Sequence, residues 1–231
     1  MRLSRFGLVV LAFCLFTGVA AAGSFSFTGT FSQDDQLQVF LFTAPSASVT
    51  LRTWGYAGTG LGTNAAGATI LAGGFDPVLT VYDAGTVGLG PLSPYVDSNN
   101  DGAGVAIDLA TGNAYDSLLT LAGLDPTHTY ALVLSENDNL SPGYPSTYGD
   151  GFSQTGQGNF TSVENGCGDG NPFCESLGVN RNGQWAVDIL GVRDATEAGS
   201  VPEPGSMLLL ATGIGTLALL RRRGKQSLSC S

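Results

Sequence analysis

Apolar and polar residues alternate along most of the chain between residues 24 and 190. In SFSFTGTF, at residues 24–31, Phe25, Phe27 and Phe31 fall on one side of an extended chain and hydroxyl residues on the other. The same period of two continues in the stretches QLQVFLFT, ASVTLRTW, VLTVYD, YDSLLTL, HTYALVLS and WAVDIL. Because the chain's 34 glycines and other turn residues separate these stretches, the pattern predicts an all-β protein. We expect an antiparallel, jelly-roll-like β-sandwich of about eight strands.

The first 22 residues have the layout of a signal peptide. Arg2 and Arg5 form a basic start, residues 6–19 are apolar, and the alanines at 20–22 offer a cleavage site. We therefore expect export, with cleavage after Ala22. An uncleaved N-terminal anchor is the alternative.

A second apolar run, residues 207–220, contains no charged residue in 14 positions. As a helix it would rise about 21 Å, which is short against a hydrocarbon core of about 30 Å, but arginines at its end can reach the interface. Basic residues follow the run on one side only, as in a stop-transfer segment with a cytoplasmic basic end. A buried helix of a soluble domain is the alternative, and the one-sided charge argues against it. We therefore predict a transmembrane helix at 205–220 and a basic cytoplasmic tail at 221–231.

The residues around this run resemble a known sorting signal. Two groups carry the resemblance: Val201, Pro202, Glu203 and Pro204 before the run, and Arg221, Arg222 and Arg223 after it. In this order they resemble the PEP-CTERM sorting signal of Gram-negative bacteria. The resemblance implies recognition by an exosortase, removal or exchange of the tail, and delivery to the cell surface or extracellular matrix, often alongside exopolysaccharide production. The prolines keep the segment extended, as a protease requires.

The two terminal signals leave one domain between them. We divide the chain into a signal peptide, a β-sandwich ectodomain, a linker with the VPEP sequence, the transmembrane helix and the tail, at residues 1–22, 23–195, 196–204, 205–220 and 221–231. Between residues 24 and 200 the chain has three arginines, no lysine and 18 acids, hence a net charge of −15. A surface this acidic repels nucleic acid and anionic lipid. We expect no nucleic-acid partner, and membrane contact only through the C-terminal helix before processing.

A second resemblance covers residues 24–190. Its motifs, in chain order, are GGFDPVL, the Asp/Asn-rich segment near Asp101, YDSL, TYAL and GDGF. Together they resemble exported bacterial proteins with a pre-peptidase C-terminal-like β-sandwich, which often carry a PEP-CTERM tail. This resemblance implies a non-catalytic sandwich.

The segment DSNNDGAGVAID, residues 97–108, matches the spacing of a calcium loop. Asp97, Asn99 and Asp101 can supply oxygens at alternate positions, and a glycine follows them at the turn. Asp108 stands where such loops usually carry Glu. We predict a Ca²⁺ site between two strands, since prolines just before the segment exclude an EF-hand helix. A solvated turn of Asx and Gly residues is the alternative.

The sequence contains none of the catalytic motifs sought. The Gly-x-Ser-x-Gly elbow, the HExxH sequence, the P-loop and the dinucleotide fingerprint are missing, and His128, the single histidine, lies inside a strand pattern. We therefore predict that the protein is not an enzyme. A hydrolase with a carboxylate pair is the alternative, but among 18 acids such pairs occur by chance. Separately, acids cluster at turns that can meet at one end of the sandwich, namely Asp76, Asp83, Glu136, Asp138 and Asp150.

Cys167 and Cys174, in CGDGNPFC, are the two cysteines of the predicted ectodomain. In an exported protein this spacing favours a disulfide that closes a small loop. A metal site is the alternative, but no histidine lies nearby.

Two aromatic residues, Trp54 in TWGYAGTG and Tyr144 in GYPSTYGDGF, lie in or beside predicted loops. Flat rings near Asp and Asn suit sugar binding, whereas packing in the core or in a loop is the alternative. The sequence thus favours a calcium-stabilised, non-catalytic protein of the cell surface or extracellular matrix. A carbohydrate-binding module or adhesin that acts on exopolysaccharide is the alternative.

Overall fold

Strands account for most of the regular structure. The computed structural model describes residues 22–45, 48–168, 170–175 and 178–198. Within these residues lie a short α-helix, α1, at Phe160–Glu164, a 3-10 turn at Tyr148–Asp150, and eleven strands: β1 Gly23–Thr30, β2 Gln38–Thr43, β3 Val49–Thr53, β4 Pro77–Gly85, β5 Tyr95–Asn100, β6 Leu118–Leu121, β7 Thr129–Glu136, β8 Cys174–Glu175, β9 Val179–Asn180, β10 Gln184–Val192 and β11 Asp194–Glu197. The prediction of an all-β fold is confirmed.

Nine of these strands form two antiparallel sheets that pack face to face. The first sheet has four strands in the order β1-β10-β3-β6, and the second has five in the order β11-β2-β7-β4-β5. β8 and β9 form a separate two-stranded ribbon. The predicted antiparallel β-sandwich is thus confirmed. The alternation pattern does not reveal β5, β8, β9 or β11, because these segments are short or mostly polar.

The main hydrophobic core lies between the two sheets. Phe40 on β2 packs against Phe27 on β1 and Trp185 on β10, with ring centroids 5.0 and 5.7 Å away. Leu51 from the first sheet and Leu132 from the second are fully buried in the same cluster. Each fully buried side chain of this kind contributes about 1.5–3 kcal/mol, so this interface holds the sheets together.

The five-stranded sheet is also covered on its outer face. Val39, Tyr82 and Val133 form a second buried cluster with Tyr148 and Phe152 from the loop after β7. β4 and β7 are therefore buried on both faces, and their sequences read as nearly continuous apolar runs. The loop after β7 is thus part of the hydrophobic packing.

Strand register brings distant acids to one end of the five-stranded sheet. Pro77 at the start of β4 pairs with Glu136 at the end of β7, and β5 ends beside them at Asn100. The carbonyl of Asp76, just before β4, accepts a hydrogen bond of 2.8 Å from the backbone N–H of Asn137. Side chains far apart in sequence therefore share one small region.

The two predicted terminal segments lie outside the described residues. This holds for residues 1–21 of the predicted signal peptide and for the VPEP residues, the predicted transmembrane helix and the tail. Between residues 22 and 198, apart from the short gaps, no helix has the length and apolar character needed to cross a membrane. β11 runs to Glu197, past the predicted domain boundary at residue 195.

Candidate functional site

A small cavity, which we call the acidic cavity, lies at the end of the five-stranded sheet where β4 begins and β7 ends. Its volume is about 50 Å³, and its wall includes four carboxylates and two amides: Asp76, Glu136, Asp138, Glu175, Asn137 and Asn165. Asp138 has a φ of 70°, in the left-handed region that short polar residues enter most readily. This turn directs the chain around the cavity as it leaves β7.

Two carboxylates of the acidic cavity each have one buried oxygen without a hydrogen-bond partner. Asp76 is 6 % exposed and Glu136 is 4 % exposed. Asp76 Oδ1 and Glu136 Oε2 accept no hydrogen bond from any described residue. A buried charge without a partner is costly, so these two oxygens are suited to hold a proton or a bound cation.

The pKa values of both carboxyl groups are far from ordinary. Burial, and then the nearby charge of Asp101, raise the pKa of Asp76 to about 9. Burial, and then Asp76 itself, raise the pKa of Glu136 well above its usual range. Unless a positive charge enters the cavity, Asp76 therefore retains its proton at neutral pH, and ionisation of Glu136 is disfavoured.

The nearest arginine is engaged at the edge of the acidic cavity. Arg181 Nη1 lies 2.6 Å from Asp108 Oδ2, and Arg181 Nε lies 3.0 Å from Glu175 Oε1. The contact with Glu175 is an ion pair and not a hydrogen bond, because Nε donates to the carbonyl of Gly74 at 2.9 Å. Arg181 thus shares its single positive charge between Glu175 and Asp108, and it is not a hydrogen-bond partner of Asp76 or Glu136.

The residues of the predicted calcium loop do not wrap around one point. Asp97 and Asn99 lie on strand β5, paired with β4, instead of in a loop. Asn99 Oδ1 accepts a hydrogen bond from Leu118 N at 2.8 Å, while Asp108 is held by Arg181. In the described part of the chain, no three Asp, Glu, His or Cys side chains converge as metal ligands. The expected loop is thus corrected, because residues 97–100 form part of a strand that pairs with β4. Calcium binding by this segment stays a prediction.

Asp76 and Glu136 are among the acids at predicted turns, and no sequence motif distinguishes them. In the sequence they resemble other acids at turns, such as Asp83 and Asp150. One signal distinguishes them: Asp76 precedes and Glu136 follows the two most continuous apolar strands. Such strands pair at the centre of an antiparallel sheet, which places the start of one beside the end of the other.

The predicted disulfide between Cys167 and Cys174 is present. It joins residues whose Cα atoms lie 6.1 Å apart. Cys174 also lines the acidic cavity, and its carbonyl accepts a hydrogen bond of 2.7 Å from Asn165 Nδ2. The disulfide therefore fixes one wall of the cavity.

The two aromatic residues predicted to bind sugar differ in exposure. The guanidinium of Arg52 covers the ring of Trp54 at 3.6 Å, and Trp54 Nε1 donates to Asp188 Oδ2 at 2.7 Å. Tyr144 is 85 % exposed. Sugar binding stays a prediction, and Tyr144 is the residue of the two whose ring is open to solvent.

His128 pairs with a carboxylate at the surface. Its Nδ1 lies 2.9 Å from Asp83 Oδ2, and its side chain is about one-third exposed. Asp83 also accepts a hydrogen bond from Gly85 N at 2.8 Å. This ion pair connects the start of β7 to the end of β4. That the protein is not an enzyme stays a prediction.

A comparison with protein families concerns the C-terminal segment. Residues 200–223 match the family model of the PEP-CTERM protein-sorting motif. The chain carries a PEP-CTERM sorting motif. The PEP-CTERM match includes the predicted sorting residues from Val201 to Arg223. No curated protein matches the chain. The PEP-CTERM motif implies an exported protein that an exosortase processes.

Proposed function

We propose that the protein is a non-catalytic component of the cell surface or extracellular matrix, to which an exosortase delivers it through the PEP-CTERM motif. The match at residues 200–223 is the observation that carries this proposal. The β-sandwich is the part that is displayed, and the C-terminal segment serves as a temporary tether and cleavage signal. Calcium stabilisation of the sandwich belongs to the same proposal.

The charge of the sandwich supports this location. Residues 24–200 carry 18 acids and three arginines, and a strongly acidic surface stays soluble and repels anionic lipid and nucleic acid. The basic residues are concentrated after residue 220. Removal of the tail therefore yields a mature chain that is more acidic than the precursor.

Expression of the full chain in hosts with and without an exosortase tests the proposal. We expect a shorter, surface-exposed product with the exosortase and a full-length, membrane-associated product without it, measured by immunoblot of fractionated cells. Glu203→Ala, within the VPEP sequence, should prevent the size change. Gln226→Ala, outside the matched segment, is the control and should be processed normally. Identical processing in both hosts would contradict the proposal.

A further inference from the structure

The acidic cavity contains two buried oxygens for which the described chain supplies no positive charge. Asp76 and Glu136 are both more than nine-tenths buried, and Asp76 Oδ1 and Glu136 Oε2 have no hydrogen-bond partner. They line the same cavity. Two such groups side by side disfavour each other's ionisation unless a cation lies between them.

The basic side chains of the described residues have other contacts. The chain has no lysine before residue 225, and its arginines between 24 and 200 are three. Arg52 stacks on Trp54 and Arg193 donates to Pro126 O. Arg181 is committed to Asp108, Glu175 and two backbone carbonyls. A positive charge in the cavity would therefore have to come from a ligand.

The chemistry of the cavity wall favours a hard divalent cation. Besides the two carboxylates, the amides of Asn137 and Asn165 line the cavity, and Asn137 Oδ1 already accepts a hydrogen bond of 3.0 Å from Asn100 Nδ2. Asn165 Nδ2 donates to the carbonyl of Cys174, so its Oδ1 is the amide atom left for a ligand. Calcium takes six to eight oxygens from carboxylates, amides, carbonyls and water, typically about 2.3–2.6 Å away. No histidine lines the cavity, and the sulfur of Cys174 is in the disulfide, which disfavours zinc.

The size of the cavity agrees with one ion and little else. Its volume is about 50 Å³, and a single water needs about 10–15 Å³ of such space. A metal ion with one or two waters fits, whereas an organic ligand does not. Two carboxylates supplemented by neutral oxygens also agree with the finding that no three Asp, Glu, His or Cys side chains converge among the described residues.

We propose that the acidic cavity is a calcium site, with Asp76 Oδ1 and Glu136 Oε2 as its anionic ligands and amide oxygens and water completing the shell. This site differs from the segment 97–108, although Asp101 of that segment lies near Asp76 and Asp108 pairs with Arg181 at the edge of the cavity. It is also independent of sorting, since failure of exosortase processing would leave calcium binding intact.

Calorimetric titration of the purified full chain with CaCl₂, and melting in CaCl₂ or EDTA, test the proposal. We expect a dissociation constant of about 0.1–1 mM, typical of extracellular calcium modules. At ~10 mM calcium the melting temperature should rise by about 3–10 °C. A wild-type chain that neither binds calcium nor gains stability would overturn the proposal.

Isosteric variants locate the site. Asp76→Asn and Glu136→Gln should each weaken calcium binding at least tenfold. In EDTA each variant should melt at or above the wild-type temperature, because Asp76 Oδ1 and Glu136 Oε2 have no hydrogen bond to lose. Asp97→Asn is the matched control, an exposed acid of β5, and should keep the full calcium response. Loss of the response in Asp97→Asn with its retention in Asp76→Asn would place the ion in segment 97–108 and refute the cavity site.

Terbium luminescence gives a readout that does not depend on the ligand variants folding. Tyr115 lines the acidic cavity, so Tb³⁺ bound there should emit when tyrosine is excited, and added calcium should quench the emission. Tyr115→Phe should lose most of this sensitised emission and still bind calcium. Emission that is unchanged in Tyr115→Phe would contradict a metal ion in this cavity.

Discussion

Asp116 and Asp76 are both buried carboxylates, yet their surroundings are opposite. Asp116 is 1 % exposed and accepts hydrogen bonds from Thr53 Oγ1, Tyr56 N and Ala57 N at 2.8, 3.2 and 2.9 Å. Asp76 is 6 % exposed, and its Oδ1 accepts none from the described residues. Burial raises the pKa of Asp116 too, but there the N–H of Ala57 opposes the effect. Partners, more than burial, therefore separate a structural carboxylate from a candidate binding group.

Two other buried carboxylates belong with Asp116. Asp34 accepts from the backbone N–H groups of Phe160 and Thr161 at the start of α1, at 3.2 and 2.9 Å. Asp188 accepts from Trp54 Nε1 and from the N–H of Ala65 at 2.7 and 3.0 Å. Each uses a negative charge to hold a loop or turn against the sandwich. The oxygens of Asp76 and Glu136 have no such task in the described chain.

The largest expected effect comes from Asp116→Ala. The substitution leaves two backbone N–H groups and a hydroxyl without their acceptor, so the free energy of unfolding should fall by about 3–5 kcal/mol. Urea denaturation in EDTA at neutral pH measures the loss.

Asp76→Ala is the matched control for Asp116→Ala. Because it removes a carboxylate that no described donor needs, its loss in EDTA should be about 1 kcal/mol or less. Equal losses of unfolding free energy in Asp116→Ala and Asp76→Ala would show that the hydrogen-bond partners of Asp116 do not stabilise the fold.

Removal of the disulfide should have an intermediate effect. Replacing Cys167 and Cys174 by Ser opens a loop of 7 residues' separation, and the free energy of unfolding should fall by about 2–3 kcal/mol. Since Cys174 lines the acidic cavity, calcium affinity should fall as well, whereas the contacts of Asp116 stay intact. Urea denaturation and calorimetric titration of the double variant measure both effects. Unchanged calcium affinity would show that the disulfide does not shape the cavity.

The pair of His128 and Asp83 should give the smallest effect. The hydrogen bond that His128 Nδ1 donates to the Asp83 carboxylate raises the pKa of His128 above its ordinary value of 6.5. The stabilisation is therefore complete below about pH 6.5 and is lost as pH rises through the folded-state pKa. In saturating calcium, the melting temperature of the wild type should fall between pH 6 and pH 8 by more than that of His128→Gln. Parallel pH profiles would show that this exposed pair contributes nothing.

Local patterns in the sequence revealed much of the fold. Alternation located seven strands, including β1, β4 and β7, because side chains of a half-buried strand point to opposite faces. It failed for β5, since the polar DSNN of this strand looks like a turn and is held extended by pairing with β4. It also failed for β11, which is short and pairs with a strand far earlier in the chain, β2.

Some features of the candidate site could likewise be predicted from the sequence, and others could not. The PEP-CTERM motif and the disulfide could be predicted because their residues are close in the chain and their chemistry depends on spacing. Which carboxylates have hydrogen-bond or ion-pair partners could not be predicted from the sequence, because donors and acceptors come from separate segments of the chain. Thr53, for example, donates to Asp116, and Arg181 pairs with Asp108.

The residue order of the chain by itself determined a β-sandwich with a PEP-CTERM sorting motif, since alternation and the VPEP sequence are both contiguous patterns. The presence of Asp76 and Glu136 in one cavity arises from the antiparallel register of β4 and β7, in which Pro77 lies opposite Glu136. Register depends on how two strands bury their faces in a common core, and a single stretch of sequence contains only one of the two strands.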